Sequence, residues 1–178
     1  VSPRLINIGI VLETGIMARP RKLIFNQTVL MVTTSVEEGF LLPANALMVM
    51  ILLGILARAQ TLHPVRICRI VIEATHVHLI IVVDNPDDVR GFMERFKTES
   101  AHAINKLLGR GKRTVWCEGY DSPVLLTPGD VAEKIAYIDS NPAKDNLVDL
   151  AIDFPGISNF SIKPVGSYAW IRRSMLEE

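Results

Sequence analysis

Residues 63–84 read HPVRICRIVIEATHVHLIIVVD, two apolar, β-branched runs on either side of Glu73-Ala74-Thr75. Such runs are strands. Too few residues separate them for a crossover, so they read as an antiparallel hairpin. In the first run Val65, Ile67, Arg69 and Val71 form one face and Arg66, Cys68, Ile70 and Ile72 the other. The second run, from His76, is apolar and β-branched almost throughout. It nevertheless carries His76 and His78, two of only four histidines in the chain. Residues i and i+2 of a strand project to the same side, so the two imidazoles stand together. Counted along the same run, Glu73 lies three positions before His76 and falls on the opposite face.

The flanking segments extend this hairpin into a fold. KLIFNQTVLMVTT, residues 22–34, reads as a strand with a break near Asn26. Pro43 opens a helix that continues through a segment apolar on all sides to about Gln60, which predicts burial. Residues 85–109 give the clearest helix. Asp84, Asn85 or Asp87 caps it, and Val89, Phe92, Met93, Phe96, His102 or Ala103, Ile104 and Leu107 form its apolar stripe. Gly109 and Gly111 end it. TVWCEGYDSPVLL reads as strand, bend, strand. A third helix starts after Thr127 or Asp130 and runs to about Ser140, stopped by Asn141-Pro142. Helices alternating with strands around an inserted hairpin predict an α+β fold: a ferredoxin-like antiparallel sheet with helices packed on one face.

The 178 residues suit one domain, here 17–160, with 1–16 read as an N-terminal extension before Met17 and 161–178 as a C-terminal tail. Hydrophobic residues are 49%, charged residues 21% and net charge zero, so the chain is globular and any nucleic-acid surface is local. Cys68 and Cys117 make neither a disulfide framework nor a zinc knuckle, and read as reduced thiols of a cytoplasmic protein. The apolar core from Ala46 to Ala57 is too short to span a membrane, which needs roughly 20 residues. No membrane partner is expected, and the chain reads as a monomer or homodimer.

Two adjacent imidazoles among apolar neighbours are costly to charge together. A divalent cation removes that conflict by taking them as neutral ligands. Farther along, IAYIDSNPAKDNLV sets Tyr137 and Asn141 at i and i+4 on one helical face. Together, His76-Val77-His78 followed by LIIVVD, the amphipathic stretch FKTESAHAINKLLG, the strand VWCEGYDSPVL, and YIDSNPAKDNLV with DFPGISNF resemble the single-tyrosine HUH transposases. The likeness is to their REP-associated tyrosine transposase branch, over about residues 24–160. It implies His76 and His78 as metal ligands, Asn141 as a third through its side-chain oxygen, and Tyr137 as the nucleophile. The implied activity is a metal-dependent single-stranded DNA endonuclease and strand transferase (a transposase) acting through a 5′-phosphotyrosine intermediate. The alternative is a catalytically inactive relative that only binds hairpin DNA. A third possibility is an unrelated metal-binding ferredoxin-like domain. Thr75 stands where the family usually has asparagine, Lys144 where it commonly has arginine, and Asp145 and Asn146 replace smaller residues.

A nitrogen and oxygen donor set with no thiolate nearby suits Mg2+ or Mn2+. Tyr120 and Tyr168 are rival nucleophiles, and Glu73 is the next candidate ligand. The segment from Arg90 to Arg113 is locally basic and predicts contacts with single-stranded or hairpin DNA through Lys97, Arg110, Lys112 and Arg113. Lys144 joins them from the turn after Asn141-Pro142. Trp116 either stacks on an unpaired base or sits in the core.

Overall fold

The computed structural model describes residues 27–160. Structural statements below concern these residues. The proposed extension 1–16, the strand start at 22–26, the tail 161–178 and Tyr168 lie outside them.

The hairpin consists of β2 (Arg66–Ile72) and β3 (His76–Val83). Their register runs from Arg66 opposite Val82 to Ile72 opposite Val77, with a shift between Ile67 and Arg69. The Glu73 N–H donates to the His76 carbonyl at 3.0 Å, which leaves Ala74 and Thr75 as a two-residue turn. β1 (Thr28–Ser35) lies antiparallel along the other side of β3, from Thr28 opposite Val83 to Ser35 opposite His76. The short β4 (Val124–Leu125) flanks β1 and β5 (Ile157–Ser158) flanks β2, so the order is β4-β1-β3-β2-β5. β1 and β2 both oppose β3 and so run parallel to each other, joined by α1 (Ala46–Leu62). This is the expected ferredoxin-like connectivity.

β3 sits centrally because it is apolar on both faces. Val77, Leu79 and Ile81 join Leu30, Val32, Ile70 and Ile72 in one core, with α1 and α2 (Pro86–Leu107) packed over it. Ile80 joins Met31 and Val71 in a second core on the opposite face, closed by Leu125, Phe154 and Ile138 of α3 (Pro128–Lys144). Two helices therefore keep to one face as expected, while the third covers the other. A sheet whose central strand offers apolar groups in both directions needs cover on both sides. Burying a side chain such as Leu79, which is fully inaccessible, contributes about 1.5–3 kcal/mol.

Helix ends follow local chemistry. Asn45 caps α1 by accepting the Met48 N–H at 2.9 Å, so the helix begins after Pro43. α1 buries Met48, Leu52, Ile55 and Leu56 but exposes Leu47 and Met50, so it is covered on one side only. No helix among the described residues is long and apolar enough to cross a membrane. In α2 the predicted stripe holds at Val89, Phe92, Met93, Phe96 and Ile104, and Gly109 follows the C-cap with φ +61°. At α3, Thr127 and Asp130 form a reciprocal cap with bonds of 3.1 and 2.9 Å.

The predicted stop at Asn141-Pro142 does not occur, and α3 continues to Lys144. Pro142 has no N–H to give to the preceding turn. The carbonyls of Asn141 and Pro142 still accept from Asp145 and Leu147 at 2.9 and 3.0 Å, which carries the chain through the last turn. As a result, Asn141 belongs to the helix and stands one turn beyond Tyr137.

Candidate functional site

β3 alternates its faces. Val77 and Leu79 point into the α1/α2 core, while His76, His78 and Ile80 point toward α3. α3 packs onto that face through buried Ile138, which brings the flanking Tyr137 and Asn141 over the histidines. The His76 and His78 rings stand 4.6 Å apart, edge to face, and the Tyr137 ring is 5.6 Å from that of His78. The Asn141 side-chain nitrogen lies 2.9 Å from His76 Nε2. The structure thus brings together all four residues singled out as ligands and nucleophile.

The two imidazoles differ in environment. His78 is 6% exposed, and its Nδ1 lies 2.8 Å from Oγ1 of Thr33, its cross-strand partner on β1. Burial, reinforced by the neighbouring His76, pushes its pKa down to about 4. It is therefore neutral at physiological pH. His76 shares Nδ1 with Thr75 Oγ1 at 2.9 Å, and its Nε2 lies 3.0 Å from Glu73 Oε2. That bond to Glu73 raises its pKa.

The sign of the linkage follows for each. The unfolded chain takes up a proton on His78 near pH 6.5 that the folded chain refuses, so stability falls as pH drops from about 6.5 to about 4. His76 works in the opposite sense, contributing stability below pH 6.5 that is lost as pH rises through its raised folded value. In metal-free thermal melts at pH 7 and pH 4.5, His78→Gln is expected to lose less stability on acidification than the parent protein. An equal or larger loss contradicts the assignment.

Glu73 is in the site, against the expectation that it faces away. Parity along one strand does not apply across the turn. Glu73 and His76 are opposite each other in the hairpin, and antiparallel partners share a face. Glu73 is 2% exposed, and its Oε2 is 3.1 Å from the Asn141 side-chain nitrogen. An exposed carboxylate, Asp145, follows at the end of α3. Ligand atoms of Glu73, His76 and Asp145 all lie within 4.8 Å of one another. His78 is outside that set. Thr33 and Asp145 carried no role in the sequence reading, and Glu73 stood there only as the next candidate ligand. The two-residue turn between Glu73 and His76 was the signal that locates Glu73.

Tyr137 is 37% exposed, and the Lys144 ammonium lies 4.9 Å from the centre of its ring. Tyr120 is partly buried, and burial raises its pKa. Of the candidate DNA contacts, Lys112, Arg113 and Lys144 are exposed. The loop carrying Lys112 and Arg113 is tied back by Asn105, whose side chain donates to the Arg113 carbonyl at 2.7 Å. Arg110 lies over the Phe40 ring at 4.5 Å. Two candidates have other partners. Lys97 donates to the carbonyls of Cys117 and Gly119, both at 2.6 Å, which anchors the segment after α2. Trp116 is 5% exposed, donates to Ser100 Oγ at 2.8 Å and packs 5.4 Å from Phe96, so it offers no face to a base.

A five-stranded antiparallel sheet of ferredoxin-like connectivity, with two strand histidines facing a helical tyrosine and asparagine, defines the class. A family model described as "Transposase IS200 like" matches residues 46–141, more than half of the chain. The chain belongs to that IS200-like transposase family. Among solved structures it is similar to a REP-associated tyrosine transposase bound to a REP hairpin, at 20% identity and TM-score 0.67, over 81% of this chain and 83% of that one. It also matches a putative transposase from Deinococcus radiodurans R1 at 14% identity and TM-score 0.39, over 70% of this chain and 97% of that one. The first likeness is one of fold. No curated protein matches.

Proposed function

We propose that this chain cuts and rejoins single-stranded or hairpin DNA through a covalent 5′-phosphotyrosine on Tyr137, with His76, His78 and Asn141 holding Mg2+ or Mn2+. The observation that carries the reading is the convergence on one face of the sheet. Asn141 reaches His76 at 2.9 Å while Tyr137, one turn earlier, stands 5.6 Å from His78 and open to solvent. The donor set fits a divalent cation: His78 is held neutral, Asn141 contributes an amide oxygen when its side chain is turned over, and a buried carboxylate lies beside them. When bound, such an ion draws charge from a non-bridging phosphate oxygen and makes the phosphorus a better electrophile.

The chain's own residues do the rest. The Tyr137 hydroxyl attacks phosphorus and loses its proton to water. The phosphorus–O3′ bond breaks, and the 3′ oxygen takes up a proton. One phosphodiester is exchanged for another, so rejoining needs no nucleotide cofactor. An unperturbed phenol has a pKa of about 10, so the reaction depends on charge that stabilises phenolate. The Lys144 ammonium lies over the face of the Tyr137 ring. Rigid packing of α3 through Ile138 holds the nucleophile over the histidines.

Binding of a hairpin by the solved REP-associated transposase supports hairpin DNA as the first substrate to try. Lys112 and Arg113 are the proposed backbone contacts. Neutralising both is expected to flatten the plot of log affinity against log salt by about one to two units, at roughly 0.7 per single-strand phosphate contact. An unchanged slope puts the DNA on another surface. The function itself is tested by incubating the protein and Mn2+ with labelled single-stranded hairpin DNA. Metal-dependent nicking supports it, and binding without cutting leaves the chain a hairpin-binding relative.

A further inference from the structure

We propose that Glu73 is a direct ligand of the cation. In this view a divalent ion the size of Mg2+ or Mn2+ rests on the triangle formed by Glu73 Oε2, His76 Nε2 and the Asn141 side-chain amide, with Asp145 at its rim. The inference rests on the function proposed above and adds a buried carboxylate to its ligands.

The triangle has edges of 3.0 Å from glutamate to histidine, 3.1 Å from glutamate to asparagine and 2.9 Å from asparagine to histidine. All three are hydrogen-bond distances, yet with Glu73 ionised no placement of protons satisfies them together. If the amide donates to both partners, the Nε2 lone pair faces the carboxylate. If Nε2 carries the proton and gives it to Glu73, it faces the amide hydrogens. If the amide is turned over, its oxygen faces the carboxylate oxygen. In every case one edge is repulsive. A cation meeting three lone pairs resolves all three edges at once.

The size of the triangle suits a small octahedral ion. Neighbouring ligands of an octahedral Mg2+ at 2.0–2.1 Å are separated by about 2.8–3.0 Å, the bond length times the square root of two. Tetrahedral zinc separates its nitrogen and oxygen ligands by about 3.3–3.4 Å. The observed edges fit Mg2+ or Mn2+ and are shorter than tetrahedral zinc requires.

A second observation points the same way. Glu73 is 2% exposed, and its other oxygen, Oε1, is buried with no hydrogen-bond partner among the described residues. A carboxylate so placed and met by a single histidine is under-compensated. The Asp145 carboxylate, within 4.8 Å of the ligand atoms of Glu73 and His76, adds a second negative charge beside the first. Such a cluster is costly without a cation and favourable with one.

The test is Mn2+ affinity, measured by calorimetry on the parent protein and on Glu73→Gln, together with melting temperature in the absence of metal. The glutamine keeps the shape and removes the charge. Affinity is expected to fall about tenfold or more, while the metal-free protein melts no lower than the parent. Unchanged affinity with a lowered metal-free melting temperature makes Glu73 a partner of His76 only and overturns the inference. Anomalous diffraction from Mn2+-soaked crystals gives a readout that needs no variant: manganese bonded to Glu73 Oε2 supports the proposal, and manganese on the histidines with Glu73 outside bonding distance overturns it. If the parent binds no Mn2+ at all, the proposed function fails and the inference falls with it. If the parent binds and the variant binds equally, only the inference fails.

Discussion

Tyr137→Phe is expected to abolish the covalent protein–DNA adduct while leaving DNA binding, metal binding and fold nearly unchanged. The substitution removes one oxygen. The ring keeps its edge-to-face contact with His78 and its place beneath Lys144. Tyr137 is more than a third exposed, so its truncation to phenylalanine should shift stability by no more than about 0.5 kcal/mol. The chemical effect, by contrast, is complete, because no bond to phosphorus forms without the hydroxyl. The check is a denaturing gel with labelled hairpin DNA, run beside a binding isotherm on the same preparation. A Tyr137→Phe protein that still crosslinks transfers the nucleophile to another residue, Tyr120 first among the described ones.

The second large effect is expected at His76, and it is double. Glu73, Thr75 and Asn141 all have side-chain contacts with this one imidazole. His76→Ala removes a proposed ligand, so metal-dependent cleavage should be lost. It also leaves the Glu73 carboxylate, whose side chain is 1% exposed, without its counter-charge. Breaking a buried pair in this way typically costs about 3–5 kcal/mol. The variant should therefore melt well below the parent, and adding Glu73→Gln should restore part of the loss. His78→Ala gives the contrast, losing cleavage without stranding a carboxylate. If the double variant is no more stable than His76→Ala alone, the ion pair does not carry the stability assigned to it.

Much of this arrangement was legible in the chain. Strand parity put His76 and His78 on one face, helical spacing put Tyr137 and Asn141 on another, and the split strand–helix–strand order gave the sheet. The differences arise from contacts that counting along a single element does not show. Glu73 was assigned by counting along a single strand, whereas the two-residue turn at Ala74-Thr75 makes it the cross-strand neighbour of His76. Pro142 was read as a stop, but downstream N–H groups from Asp145 and Leu147 complete the helix end. Lys97 carries a formal charge suited to phosphate, yet two backbone carbonyls around Gly119 claim it. Trp116 had two readings, and Ser100 on α2 decides between them by accepting its indole N–H in the core. The third helix was assigned to the same face as the others because β3 alone, apolar in both directions, does not say which helix covers which side.

The central claim is that Tyr137 becomes joined to DNA. The most direct measurement is mass spectrometry of the parent protein after incubation with Mn2+ and single-stranded hairpin DNA, denaturation and digestion. The account predicts a nucleotide mass on the peptide containing IAYIDSNP, located at Tyr137 and absent when the metal is chelated. A nucleotide on Tyr120 or Tyr168, or DNA cut with no covalent peptide at all, would contradict it.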